Sequence, residues 1–341
     1  MLPFPSINQF RNVVAHVRHQ AAFMGRDEAG QPIFNPAPVY PKLAFQGTVK
    51  LHGTNAAIVF SPEGISYQSR ERVLTLEQDN AGFMAHMEQH LDAVAHLGSY
   101  LAMQHNLTGI DHTVAIYGEW CGGNIQKGVA VCGLPKMFVI FAVKINGNWV
   151  DTPDFSIASA SIYSVKQFTT YSLVIDFEHP EIAQNYLAEF TNKVEECCPV
   201  GKAMGVEGIG EGIVWRCVSD PSPEYWFKVK GEKHSASKVK TLAPVDVEAV
   251  SQINDFVAMA VTEARLEQAL HNLVNEQLKP FDMTSMGDFI RWVHQDVLKE
   301  EADTIQASGI EYKKLGSPIA LVAKRWFVAK LDESLLLQTV Q

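Results

Sequence analysis

No run of eighteen consecutive apolar residues occurs in the 341-residue sequence, which excludes an ordinary membrane-spanning helix. The opening residues, MLPFPSINQFRN, hold no charged stretch followed by an apolar one, so no secretory leader is expected and the cytoplasm is the expected compartment. Cysteine is scarce: there are five, two of them adjacent at Cys197 and Cys198, and no C-x-x-C pair. That pattern argues against a zinc knuckle, a redox pair or a disulfide framework, and predicts reduced, structural thiols. An excess of basic charge is missing as well. With 28 Lys+Arg against 38 Asp+Glu, the formal net charge is −10, so nucleic-acid contact would have to come from a local basic patch on an acidic body. Repeats, low-complexity tracts and coiled-coil heptads are also absent, and a monomer is expected.

What is present reads as an ordinary globular chain, 47% hydrophobic and 19% charged, with length for two domains. Ile7, Phe10, Val13, Val14 and Val17 recur at helical spacing over residues 6–24. Pro32, Pro36, Pro38 and Pro41 then break any regular element and predict an extended connection. From Lys42 the texture is of short strands: KLAFQGTVK, AAIVF, a turn at Pro62–Gly64, and ISYQSR. Residues 80–106 predict a helix with Phe83, Met87, Leu91 and Val94 along one side. Strands return at TVAIYGEW and KMFVIFAVKI, a helix follows Pro180, and EGIVWRCV and EYWFKVK flank a Pro221–Pro223 loop. Beyond Pro244 three long stretches read as helices and carry nine basic and fifteen acidic residues. The expected architecture is α+β: an antiparallel-sheet domain over 1–243, then a small all-helical domain over 244–341.

The segment Val49-Lys50-Leu51-His52-Gly53-Thr54-Asn55 lies between two apolar strands. A lysine at a strand end, with a glycine just beyond it, can face a bound phosphate that the backbone also approaches. It becomes a nucleophile once burial or neighbouring cations deprotonate it. Alone, K-x-x-G is equally the pattern of a surface lysine before a turn. Further pieces follow in order: Ser69-Arg70, Tyr117-Gly118-Glu119 with the glycine-rich Cys121–Gly128, Phe138–Phe141, Gly210-Glu211-Gly212, and Phe227-Lys228-Val229-Lys230. Singly, each has an ordinary reading. The phenylalanines suit a core, Glu211 a turn between glycines, and the two lysines a solvated edge strand.

Taken together and in this order, the pieces resemble the covalent nucleotidyltransferase superfamily of ATP- and NAD-dependent ligases and capping enzymes. The strings KLHGTN, GEWCGGNIQKGV, GEGIVWR and FKVKGEKHS are most similar to the phage RNA ligase 2 family, which includes kinetoplastid RNA-editing ligases. The similarity runs over essentially the whole chain. It implies an antiparallel-sheet nucleotidyltransferase domain, of the ATP-grasp-like ligase kind, followed by a helical domain. The implied activity is an ATP-dependent RNA ligase joining 3′-hydroxyl and 5′-phosphate ends at nicks in duplex RNA. Lys50 would carry AMP, pass it to the RNA 5′-phosphate, and leave the RNA 3′-hydroxyl to seal the break.

By the same resemblance, Lys228 and Lys230 would neutralise the α-phosphate and depress the pKa of Lys50. Both Glu119 and Glu211 suit ribose hydroxyls, Mg²⁺ or Mn²⁺, or both; the resemblance gives Glu119 the ribose and Glu211 the metal. Phe141 would stack on adenine, Arg70 would contact a phosphate or the RNA end, and Asn55 would orient the nucleotide or the reacting 3′ end. His52 joins the nucleotide-binding set. The chain departs from the family at Thr48 and Val49, where relatives often place a charged residue, and at Ala142, where they commonly place an acid.

Three other features are weighed against plainer readings. His86 and His90 stand four apart in HMEQH but lack the glutamate that zinc peptidases place beside the first histidine, so a structural or surface role is expected. Residues 228–240 carry five lysines and one acid, which suits either a phosphate-tracking strip or a solvated linker. Lys313, Lys314, Lys324 and Arg325 are candidates for orienting a duplex. A DNA ligase or capping enzyme would append an OB-fold barrel, against the helical reading of 244–341. A non-catalytic RNA-end-binding relic of the fold would not need Lys50.

Overall fold

The computed structural model describes residues 1–109, 111–231, 233 and 253–339. The chain divides into two compact units, Met1–Gly231 and Glu232–Gln341; the boundary expected at 243/244 lies outside the described residues. So do positions 232 and 234–240 of the lysine-rich strip and the start of the first predicted helix beyond Pro244.

Among the described residues, the first unit builds two principal sheets. One runs Asn8–Gln9, Phe227–Lys230, Gly212–Cys217, Lys42–Lys50, Thr170–Asp176. The other runs Ile162–Ser164, Met137–Ile145, Val114–Cys121, Thr54–Ser61, Gly64–Ser69, with Asn148–Val150 added beside Met137–Ile145. The pairings are antiparallel except for the short strands Asn8–Gln9 and Ile162–Ser164, which run parallel to their neighbours. The α+β reading with antiparallel sheets therefore describes this architecture, with a helical unit after it.

Period-two alternation gives each sheet two different faces. In the second sheet, Ala56, Ile58, Ile116, Trp120, Phe138 and Ile140 point one way, into a core with Phe83, Met87, Val94, Leu97 and Leu101. Ala57, Val59, Ala115 and Tyr117 point the other way and meet Phe4 and Trp226. In the first sheet Phe45, Trp215 and Phe227 stack among themselves and against Phe10, Phe177 and Phe190, so the helices Phe10–Ala22 and Pro180–Glu196 cover that side. The opposite faces of the two sheets enclose a cleft. The N-terminal segment crosses it: Leu2 N donates to Gln68 (2.9 Å), Tyr117 Oη donates to the Leu2 carbonyl (3.1 Å), and Phe4 sits between the sheets.

Three local expectations are corrected. The proline-rich connection is not without regular elements, because Phe23–Arg26 and Pro32–Phe34 pair as an antiparallel ribbon. Asp27 closes its turn by accepting from the N–H groups of Ala29 and Gln31, and Pro32 is tolerated as the first residue of its strand. The helix predicted over 80–106 is two helices, Phe83–Glu88 and Leu91–Gln104. The break at Gln89 and His90 resets the periodicity, so Leu91 is 45% exposed while Phe83, Met87 and Val94 are buried. Asp79 starts the first of these helices by accepting from Met84 N and Ala85 N. Beyond residue 252, the first long helical stretch is likewise divided, into Ile253–Ala260 and Glu263–His271, with Thr262 capping the second through Arg265 N.

The helical unit packs Phe256, Leu266, Phe289, Val293, Ile319 and Phe327 into a core. Arg265 is buried within it, bound to Asp296 at 2.8 Å, to Glu301 at 3.2 Å and to the Ala260 carbonyl. No helix among the described residues is long and apolar enough to cross a membrane. Removing one partner of a buried pair leaves the other charge uncompensated. Arg265→Ala is therefore expected to destabilise the helical unit by about 3–5 kcal/mol, measured by urea unfolding followed by far-ultraviolet circular dichroism. A loss below about 1 kcal/mol would contradict the assignment.

Candidate active site

Strand register assembles the site. Gly212 pairs with Lys50 on one side and with Lys230 on the other, so the two lysines flank the strand that follows Glu211. By alternation Lys50, Thr48, Val214, Arg216, Lys228 and Lys230 share one face of this sheet, the face turned toward the cleft. Gly212 has φ +152°, and a Cβ there would lie 2.1 Å from the Val229 carbonyl oxygen. Glycine therefore lets the three strands close up beside the lysines.

Glu211 is buried, 2% exposed, and its carboxylate serves three basic side chains. Oε2 lies 2.7 Å from Lys50 Nζ and 3.2 Å from His52 Nδ1, while Oε1 lies 3.0 Å from Lys230 Nζ. Burial alone would raise its pKa, but Lys50, Lys230 and His52 outweigh burial and hold the carboxyl well below its ordinary range. For Lys50, burial pulls the ammonium down, yet Glu211 and Glu119 overcome it and leave the pKa raised, with Arg70 opposing. The expected depression of Lys50 by the neighbouring lysines is thus reversed in this state, because an anion stands between the cations.

The second sheet supplies the facing groups. Asn55 pairs across strands with Glu119, and Glu119 Oε1 accepts from Gly53 N at 2.9 Å, which ties the turn after Lys50 to the opposite sheet. Gly53 has no room for a side chain: a Cβ would fall 2.3 Å from the Trp120 carbonyl oxygen. Burial raises the Glu119 carboxyl pKa, an effect that Lys50 opposes. Arg70 follows the Gly64–Ser69 strand, is exposed, and donates to Ser6 Oγ at 3.4 Å.

Phe138 and Phe141 separate clearly. Phe138 is buried in the core against Phe83, whereas Phe141 is half-buried on the cleft side beside Phe4. The structure thus brings Lys50, His52, Glu211 and Lys230 into direct contact. It sets Asn55, Glu119 and Phe141 on the facing sheet and Lys228 on the lysine face. Arg70 lies close enough to act on the charge of Lys50.

Among the described residues, no three His, Cys, Asp or Glu side chains converge to hold a metal. His86 and His90 stack ring on ring at 4.6 Å, and His86 Nε2 meets the Ala160 carbonyl. All five cysteines are free. Sequence reasoning passed over Arg216, which reaches across the cleft to the Phe141 carbonyl. Its one signal is parity, since it stands four residues beyond Gly212 on the lysine face.

A family model described as RNA ligase matches residues 43–230, more than half of the chain. No curated protein matches it. Solved structures similar to this chain include RNA ligase mutants from Naegleria gruberi. An apo form aligns at 15% identity with a TM-score of 0.42, covering 68% of this chain and 57% of that one. A form with AMP and Mn aligns at 13% and 0.43, covering 68% and 56%; a form with ATP and Mn aligns at 13% and 0.41, covering 67% and 56%. This chain therefore spans little more than half the length of those proteins. With the motif-bearing strands all inside the matched region, the chain belongs to the RNA ligase family.

Proposed function

We propose that this protein is an ATP-dependent RNA ligase that acts in the cytoplasm as a monomer. It joins 3′-hydroxyl and 5′-phosphate ends at nicks in duplex RNA, as in RNA repair. The observation that carries this reading is the placement of Lys50 at the cleft, abreast of Lys230 and bound to Glu211 at 2.7 Å. In the first step the Lys50 amine attacks the α-phosphorus of ATP; a P–N bond forms, the P–O bond to the β-phosphate breaks, and pyrophosphate leaves. In the second, an oxygen of the RNA 5′-phosphate attacks the same phosphorus and the P–N bond breaks, returning the amine to Lys50. In the third, the RNA 3′-hydroxyl loses its proton and attacks the adenylylated 5′-phosphorus; AMP leaves as the new phosphodiester forms.

Transfers of this kind depend on positioning and charge neutralisation, which the lysine face of the first sheet offers. A charged ammonium is not a nucleophile, so Lys50 must lose the proton that Glu211 stabilises. Incoming phosphates compete with Glu211 for Lys230 and can also draw on Lys228, which shares its face. Any loosening of Glu211 from Lys50 leaves burial to lower the amine's pKa. Mg²⁺ or Mn²⁺ fits here through Glu211 or Glu119 with phosphate oxygens completing the shell, and would supply further neutralisation of phosphate charge. Glu119 takes the ribose hydroxyls, Phe141 the adenine, Arg70 a phosphate or RNA end, and Asn55 and His52 help orient the nucleotide.

Incubation with α-labelled ATP and a divalent metal is expected to label the wild type but not Lys50→Ala, and a nicked RNA duplex should discharge the label. Absence of label with either metal, once pre-bound AMP is excluded by mass, would sink the nucleophile assignment and favour an RNA-end-binding relic. Glu211→Gln removes the main influence raising the Lys50 pKa. Competitive amine labelling across a pH series, read by peptide mass, should therefore show Lys50 becoming reactive at lower pH than in the wild type; a shift upward would refute the electrostatic account. Gly53→Ala forces the turn away from Trp120 and Glu119, and should slow AMP attachment by about 100-fold, the scale of a misplaced reacting group, in single-turnover assays.

A further inference from the structure

The cleft side of the second sheet contains a local irregularity. Tyr117 pairs with Ala142 and Gly118 with Ile140, so Phe141 is the extra residue of a β-bulge. Bulges re-aim a side chain, and they also take a backbone carbonyl out of the ladder. The Phe141 carbonyl is satisfied from elsewhere: Thr152 Oγ1 donates to it at 2.8 Å, and Arg216 Nη1 donates to it from the opposite sheet. The same Arg216 nitrogen lies 3.4 Å from Thr152 Oγ1.

Arg216 is itself held by aromatic surface. Its guanidinium lies 4.2 Å from the centre of the Trp226 ring. Trp226 stacks on Phe4 at 5.7 Å, and Phe4 meets Phe141 edge-on at 5.1 Å. The contacts form a closed circuit: the Phe141 ring rests on Phe4, Phe4 on Trp226, Trp226 carries Arg216, and Arg216 grips the Phe141 carbonyl. Ala142, the next residue on the strand, offers the guanidinium no carboxylate. Burial pulls the Arg216 pKa down to about 10, with Asp151 opposing, so the group stays charged at neutral pH.

We propose that Arg216 is a positioning residue for the nucleobase. By clamping the carbonyl of the bulged Phe141 from the opposite sheet, it aims the Phe141 ring into the cleft to stack on the base. This inference rests on the reading of the cleft as an ATP site. It also ties the strand following Glu211 to the base-contacting ring, so the phosphate end and the base end of the cleft share one strand.

The test is a double-mutant cycle on equilibrium binding of α,β-methylene-ATP, which cannot release pyrophosphate, by calorimetry. Arg216→Gln is expected to weaken binding about 10-fold, within the range of losing one base–aromatic stack. Thr152→Val should weaken it in the same direction by less, and serves if Arg216→Gln does not fold. Neither change should alter binding in a Phe141→Ala background. Arg216→Lys should not restore affinity, because an ammonium cannot lie flat on Trp226 while reaching the carbonyl. In AMP attachment, Arg216→Gln should raise the KM for ATP and leave kcat within about twofold.

Equal losses with and without Phe141, or wild-type binding by Arg216→Gln, would overturn the clamp. A wild type that binds the analogue yet takes no label from ATP would defeat the ligase reading and leave the clamp to the binding cycle. A wild type that does not bind the analogue would overturn both.

Discussion

The site depends on one buried carboxylate. Glu211 is cut off from solvent and survives as an anion because Lys50, Lys230 and His52 reach it from two directions. Burying a charge without such partners would cost several kcal/mol. The lysines need the carboxylate equally, since without it two ammonium groups on the strands flanking Gly212–Cys217 would repel each other. Holding the cluster together requires the three strands Lys42–Lys50, Gly212–Cys217 and Phe227–Lys230 to stay in register. A one-residue slip would turn every one of these side chains to the helix-covered face.

The division of labour between faces follows from the same constraint. The first sheet commits Phe45, Trp215 and Phe227 to its helices, which leaves its other face available for polar and charged groups. The second sheet buries Trp120 and Phe138 on its far side and turns Asn55 and Glu119 inward. Between the sheets, one part of the cleft is apolar and aromatic, built from Phe4, Tyr117, Trp149 and Trp226, while the lysine cluster remains partly open. A charged cluster beside an apolar wall is a setting in which electrostatic interactions are stronger than in water. It suits the handling of phosphate charge next to a flat aromatic base.

Under the proposed reaction, the arrangement of Lys50 and Glu211 is not the reactive one. With Glu211 bound, Lys50 is held as an ammonium, stable but unreactive. Under the proposed reaction, activation lies in redistributing cations among anions, with the substrate's phosphates competing for the partners of Glu211. The same contacts stabilise the cluster and hold the Lys50 amine in its charged form.

Much of this was legible in the residues. The order of the motifs pointed to the family, and alternation along FKVK placed both lysines on one face. Alternating apolar positions marked the strands, and helical spacing marked Phe10–Ala22, because periodicity is a local property. Alternation alone sets Phe138 and Phe141, three residues apart, on opposite faces, but which face meets the cleft was settled only by how the second sheet packs. Leu91 was misplaced because the non-helical backbone of His90, between the two helices, resets the phase. The direction in which the Lys50 pKa moves was misjudged for a different reason. Sequence showed cations arriving from Lys228 and Lys230, but only the folded register put Glu211 among them. Arg216 likewise gained meaning only when the sheets met. The sequence by itself determined which elements form and which chemistry they carry; the tertiary structure decided which charges touch and which ring meets the cleft, because both depend on contacts between strands far apart in the chain.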